Sequence, residues 1–322
     1  MLTFFLMRGL PGINPIIPYV TPQTPLDQYP IIAKEHGLNL PVYLQYFYYM
    51  RDLLSGDWGY SKSVGLPVTQ ALATFFPATL ELTLAAMLIA IVAGFGLGLV
   101  SALENRRWPD YLSRIFSIQI VSMPPFWLGI LLSLAAYYVG QAGLPTLPLD
   151  GRITQSVLIL HPLQQITGMY LIDSLFTGNL AVFSDAFSHL ILPALALSLF
   201  PMGLIARTVR ASVLDVLTQD HVVFALSKGL STRRLIYRHI VRNSLISVLT
   251  ILGLVVATLL GGSVLVESVF AWPGMGLWAA NSITWDDTAG IMGFTIIVAS
   301  AFVFINLAVD VAYMFIDPRV RY

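Results

Sequence analysis

The 322 residues contain no cysteine, which excludes disulfides, thiolate metal sites and cysteine nucleophiles and leaves the compartment unreadable from redox chemistry. Charge is nearly as scarce. Asp, Glu, Lys and Arg make up 11% of the chain, against about 25% in an ordinary soluble domain, so it cannot cover itself in water. The 17 basic and 17 acidic residues cancel, which argues against a nucleic-acid partner, because such proteins need a basic excess to neutralise phosphate. There is no G-x-x-x-x-G-K-S/T loop to cradle nucleotide phosphates and no H-E-x-x-H pair. The five histidines (His36, His161, His189, His221 and His239) are scattered, and no local motif gives a serine nucleophile its base. The chain reads as having no catalytic residues, no metal site and no cofactor of its own.

What it has is apolar length. Hydrophobic residues make up 57% of the chain and the mean hydropathy is +0.77. A helix needs about 20 residues to cross a hydrocarbon core of ~30 Å. Uncharged runs of that order cover Leu82 to Leu103, Ile115 to Val139, Ser244 to Val266 and Thr288 to Val309, with a shorter one from Leu190 to Ala206. These predict an all-α, multi-pass membrane protein with spans at about 78–103, 113–140, 188–210, 244–267 and 288–316. Pro124 and Pro125, and Pro193 and Pro201, are read as kinks within spans, since neighbouring helices can re-satisfy freed backbone groups. Leu2 to Met7 is too short to cross and lacks the parts of a secretory signal.

Lys and Arg set the orientation, because short cytoplasmic loops hold their excess. Arg106, Arg107 and Arg114 fall after the first long run; Arg207, Arg210, Lys228, Arg233, Arg234, Arg238 and Arg242 fall between the third and fourth; Arg319 and Arg321 follow the last. Twelve of the 17 basic residues thus mark one face, which predicts a cytoplasmic C-terminus and external segments at 11–77, 140–187 and 267–287. The 11–77 segment holds nine prolines and the stretch VYLQYFYYMRDLLSGDWGYS. Its Tyr43, Tyr46, Tyr48 and Tyr49 fit an interfacial aromatic belt or, alternatively, contact with a substrate.

Between Arg207 and Asn243, apolar residues at helical spacing (Val222, Ala225 and Leu226) are followed by Gly229, a natural helix stop, and then by a basic amphipathic stretch. A helix, a glycine turn and a returning helix make a projecting knob suited to docking; an ordinary positive-inside loop is the alternative. Glu81 is either a structural partner near the outer face or a functional carboxylate. Asn306 and Asp310, four apart, share a helix face and suit a hydrogen bond to a neighbouring helix better than an ion. After Glu267, Pro273, Gly274 and Gly276 force a re-entrant-looking turn, which makes Glu267, Trp272, Pro273 and Gly274 candidates for an outer gate. Ser122, Met123, Ser198 and Met202 are uncharged candidates for lining a pathway.

The segment DHVVFALSKGLSTRRLIYRHIVRN resembles the EAA-type coupling loop of ABC importer permeases. Ala225 and Gly229 keep that pattern's small residues. Val223 stands where the family often has Glu and Phe224 where it has Ala, and Arg242 and Ser247 fill positions where it often has proline. PATLELTLAAMLIAIVAGFGLGLVSAL, SMPPFWLGILL, LPLDGRI, SHLILPALALSLFPMGLIARTVRASVLDVL, LLGGSVLVESVFAWPGMGLW and INLAVDVAYMFIDPRVRY are similar to the dipeptide, oligopeptide and nickel group of these permeases, in family order over about nine-tenths of the chain.

The resemblance implies a type I importer transmembrane fold with five full spans. Residues 1–10 look like the last third of the family's first helix, 11–77 an external loop with an interfacial helix, 78–317 the permease core with its coupling loop at 211–243, and 318–322 a cytoplasmic tail. It implies an ATPase-coupling surface at Asp220, Val223, Phe224, Ala225, Ser227, Lys228, Gly229 and Arg233. It also implies a second permease subunit, usually in a heterodimer, two P-loop ATPase subunits that hold ATP and Mg, an external solute-binding protein, and a prokaryotic cell membrane. The expected cargo is a di- or oligopeptide, with oligosaccharide or nickel as alternatives. An autonomous secondary transporter or channel is the competing class, but no repeat and no charges at the centres of the spans speak for it.

Overall fold

The computed structural model describes residues 1–9, 15–21, 23–241, 251, 253, 255, 256, 259, 261 and 263–316, without the side chains of residues 221, 223, 226, 232, 233, 237–239, 310 and 312–316. A short helix α1 (Leu2–Gly9) is followed by α2 (Tyr29–Glu35), α3 (Val42–Leu54) and a two-residue hairpin, β1 (Tyr60–Ser61) with β2 (Leu66–Pro67), which pair Tyr60 with Pro67 and Ser61 with Leu66. The hairpin leads directly into α4 (Val68–Leu103). Then come α5 (Trp108–Ser122), α6 (Pro125–Gln141), α7 (Gln155–Leu160), α8 (Tyr170–Phe176) and α9 (Leu180–Leu217). The knob is α10 (Asp220–Ser227), α11 (Thr232–Leu235) and a π-helical turn at Ile236–Val241. After helical backbone at 263–269 come α12 (Met275–Thr284) and α13 (Thr288–Ile316).

Among the described residues, α4, α9 and the Thr288–Val309 part of α13 are long and apolar enough to cross a membrane. The expected span over 244–267 lies largely outside the described residues, as do Arg242, Ser247 and the 318–322 tail. The run over 113–140 is not one kinked helix: α5 and α6 meet at 106°. Pro125 opens α6 and Pro124 precedes it, so Met123, before a proline, is held extended at φ −102 and ψ 133 and the helix stops there. Pro193 and Pro201, by contrast, sit inside an unbroken α9.

The core is the contact of α4 with α9. Along α4, Ala78, Leu82, Ala86, Ala90, Gly94, Gly98 and Ala102 recur every fourth residue and are all buried, which lays a ridge of mostly small side chains on one face. Small residues let helix backbones approach closely in lipid, where apolar burial no longer drives association. The approach is tight: a Cβ on Gly94 would lie 2.7 Å from the Met202 carbonyl oxygen, and one on Gly98 2.5 Å from that of Ala206. At 38 residues, α9 is about 57 Å long. It joins a loop end, which carries the hairpin, the 142–179 segment and the 267–287 turn, to a knob end.

Candidate functional site

At the knob end, Asp220 lies in the first turn of α10, where a carboxylate suits the helix dipole. The helix closes on Gly229 at φ +75, with the Leu230 N–H donating to the Ala225 carbonyl at 3.3 Å in a Schellman turn. Val222 is fully buried and packs with Leu235 and Ile240 against Val209, Val213 and Val216 of α9. Phe224 turns outward, 60% exposed, with the Lys228 ammonium 4.5 Å from its ring centroid. Asp220, Ser227, Lys228 and Gly229 are exposed around it, and a Cβ on Gly229 would meet nothing within 4 Å. Ala225 departs from the expected presenting set: at 6% exposed it packs the knob onto α9. The side chains of Val223 and Arg233 lie outside the described residues.

Below the knob, Asp110 is fully buried at the start of α5. Its oxygens accept from Arg210 Nε at 2.8 Å and Nη2 at 3.0 Å, Ser101 Oγ at 2.6 Å and the Arg106 N–H at 3.0 Å. Chiefly the Arg210 guanidinium, helped by Ser101 and Arg106, holds this carboxyl well below the ordinary range. The ends of α4 and α5 are thereby fastened to α9. The separation of 100 residues between Asp110 and Arg210 carried no local signal.

At the loop end, Glu267 is fully buried, accepting from Thr79 Oγ1 at 2.8 Å and from the Leu277 N–H at 2.9 Å, while Thr79 Oγ1 accepts from the Met275 N–H at 2.7 Å. Trp272, 1% exposed, donates its indole N–H to the Ala78 carbonyl at 3.0 Å. Gly274 is obligatory here, since a Cβ would lie 2.5 Å from both Glu267 Oε2 and Thr79 Oγ1. Ala271, between these anchors, is held at φ 45, a left-handed conformation that costs an L residue roughly 1–2 kcal/mol. The gate candidates Glu267, Trp272 and Gly274 therefore form one buried clasp against the start of α4.

Two further carboxylates tie separate segments together at this end. Glu81 pairs with Arg152, whose guanidinium also stacks 4.0 Å from the Tyr170 ring centroid and donates to the Gly168 carbonyl at 2.8 Å. Asp287, 1% exposed, accepts from Ser61 Oγ at 2.5 Å, Ser63 N–H at 3.0 Å and Gly290 N–H at 2.9 Å, latching the hairpin to the start of α13. Of the pathway candidates, Ser122 is exposed and Met123 half-buried at the α5–α6 break. Ser198 is fully buried, donating to the Leu195 carbonyl, and Met202 is 5% exposed in the α4–α9 core, so those two face inward within this chain. Asn306 stands close to the backbone of Gly253; the side chain of Asp310 lies outside the described residues.

The family model for binding-protein-dependent transport system inner membrane components matches residues 94–322. The probable D,D-dipeptide transport system permease protein of Escherichia coli (strain K12) is 43% identical over 90% of this chain and 83% of its own length. The dipeptide transport system permease protein of Alkalihalophilus pseudofirmus is 37% identical over 100% of this chain and 94% of its own. A crystal structure of an amino acid ABC transporter with histidines superposes with a TM-score of 0.52 at 15% identity, over 76% of this chain and 94% of that one, a likeness of fold alone.

Proposed function

The chain belongs to the family of binding-protein-dependent transport system inner membrane components and is a permease subunit of an ABC importer; from that premise we propose that it carries di- or oligopeptides across a prokaryotic cell membrane by alternating access. The peptide class is favoured over oligosaccharide or nickel by the names of its relatives. In this reading the fold is the type I importer transmembrane domain, with the span over 244–267 completing it, the C-terminus and the knob cytoplasmic, and the loop end outside.

The observation that carries the mechanism is the continuity of α9, one helix from the loop end to the base of the knob. Energy enters from two separate P-loop ATPase subunits, which hold ATP and Mg; this chain supplies the exposed surface of Asp220, Phe224, Ser227, Lys228 and Gly229. Closure of the ATPase dimer moves the knob, and the packing of Val222, Leu235 and Ile240 on α9 passes that motion to the loop end as a rigid displacement. There the clasp of Glu267, Trp272 and Gly274, with Pro273 exposed on its outer side, acts as the outer gate, and a solute-binding protein delivers cargo. A second permease subunit, in a heterodimer, supplies the other wall of the pathway, with Ser122 and Met123 on this chain's side. Cargo and nucleotide shift the equilibrium only through their different affinities for the two states.

Replacing Gly229 with tryptophan tests the reading. The site is open, so the chain folds, but the left-handed turn is strained and the docking face is occupied. ATPase co-purification and peptide uptake should both fall; coupled uptake at the wild-type rate would overturn it.

A further inference from the structure

We propose that the turn between α4 and α5 binds the headgroup of an anionic phospholipid in the leaflet at the knob end. The proposal rests on the reading of the chain as a membrane permease and adds a ligand to it. Three observations converge at the turn.

The first is its construction. Arg106 is held at φ 62, a strained conformation for a side chain of this kind, by the bond from its N–H to buried Asp110. Asp110 is in turn neutralised by the Arg210 guanidinium and hydrogen-bonded by Ser101 Oγ, so its charge is directed inward. The turn is thus a built feature whose backbone is fixed from inside while its guanidinium groups point out.

The second is charge. Arg106 is exposed and makes no ion pair among the described residues. Arg107 is 73% exposed and pairs with Glu104 at 2.8 Å, an exposed contact of little strength. Two guanidinium groups face one carboxylate, which leaves a net positive charge at the mouth of the groove. Guanidinium forks match phosphate bidentately.

The third is the wall below. An open groove is lined by Arg106, Arg107, Trp108, Tyr111 and Ile115. Trp108 is 76% exposed, Tyr111 48% and Ile115 54%, and their spacing places them on one face of the first two turns of α5. The order from the mouth inward is cation, indole, phenol and aliphatic, which is the order of a bilayer from headgroup to chain. A soluble partner would meet cations and leave the aliphatic end uncovered; a phospholipid covers both. The positive excess selects an anionic headgroup over a zwitterionic one.

The test uses the full chain in its assembled complex, purified in detergent and titrated with phosphatidylglycerol or phosphatidylcholine under native mass spectrometry. Wild type should retain phosphatidylglycerol preferentially. The double variant Arg106→Asn/Arg107→Gln, with asparagine chosen because it tolerates the left-handed turn, should bind it roughly 25-fold more weakly, about fivefold for each cation lost near an anionic surface. Trp108→Ala, which leaves the turn intact, should also weaken retention, and serves if the double variant fails to assemble. Lys34→Gln/Arg51→Gln removes the same charge elsewhere and should leave binding unchanged. Equal retention of both lipids by wild type, binding by the double variant within twofold of wild type, or equal loss in the Lys34/Arg51 control would each overturn the proposal. So would release of an ATPase subunit by the double variant with lipid binding intact, which would make the turn a protein contact. Peptide uptake, scored separately, reports on the permease reading and not on this site.

Discussion

Arg152 and Glu81, 71 residues apart in the chain, meet through a 2.5 Å contact between Nη2 and Oε2 with both side chains 6% exposed. Glu81 also accepts the Leu171 N–H at 2.7 Å, so one carboxylate fastens the 142–179 segment to α4 at two points. Arg152→Met leaves that carboxylate buried and unpaired, and removing one partner of such a pair costs about 3–5 kcal/mol. Adding Glu81→Gln should recover part of the loss. Thermal unfolding of the two single variants and the double variant checks this, and strict additivity would contradict it.

The α4–α9 contact makes a sharper contrast. Gly98→Leu should destabilise by about 1–3 kcal/mol or more, because its Cβ meets the Ala206 carbonyl and Val209. Gly96, on the opposite face of α4, is exposed with nothing within 4 Å, so Gly96→Ala should be neutral or stabilise by up to roughly 1 kcal/mol. Denaturation of both variants in detergent reads the difference.

Asp110 gives a pH signature. Its folded-state pKa lies below that of the unfolded chain, chiefly through Arg210, so its stabilisation is complete above about pH 4 and is withdrawn as the pH falls toward the folded value. Asp110→Asn should lower stability at neutral pH and flatten the acid limb below about pH 4. An acid limb identical to wild type would show that the Arg210 pairing is not what holds the ends of α4 and α5.

Asp287 is predicted to hold the hairpin. Asp287→Ala removes the acceptor of Ser61, Ser63 and Gly290, and should raise amide exchange across residues 60–67 while leaving α9 protected. Unchanged exchange at 60–67 would assign the latch to the neighbouring Trp278 indole, which donates to Ser61 Oγ at 3.1 Å.

The three long apolar helices and the helix–glycine–helix pattern at 220–235 were legible in sequence because their signals are local: apolar run length, and a glycine after an amphipathic turn. The left-handed Gly229 and the buried Val222 follow from that pattern. The α4 ridge was also written there, as small residues four apart, though its partner helix was not. The clasps were hidden by distance. Thr79 meets Glu267 across 188 residues and Ser61 meets Asp287 across 226, and no single-sequence pattern pairs residues so far apart. The break at Met123 was misread as a kink because a proline inside an apolar run looks the same whether the helix bends or ends; two successive prolines at 124 and 125 were the discriminating sign. Ser198 and Met202 were offered to a pathway on polarity and position alone, which do not tell which face of a helix is covered.

In the proposed importer an ATPase docks on the exposed face of the knob, and the loop end lies across the membrane from it. A photo-crosslinking residue at Phe224, 60% exposed, and another at Leu175, 58% exposed in α8 at the loop end, test both parts in the assembled importer. Position 224 should give a covalent adduct to an ATPase subunit, and position 175 none. An ATPase adduct from 175, or none from 224 in a complex that still hydrolyses ATP and imports peptide, would rule this arrangement out.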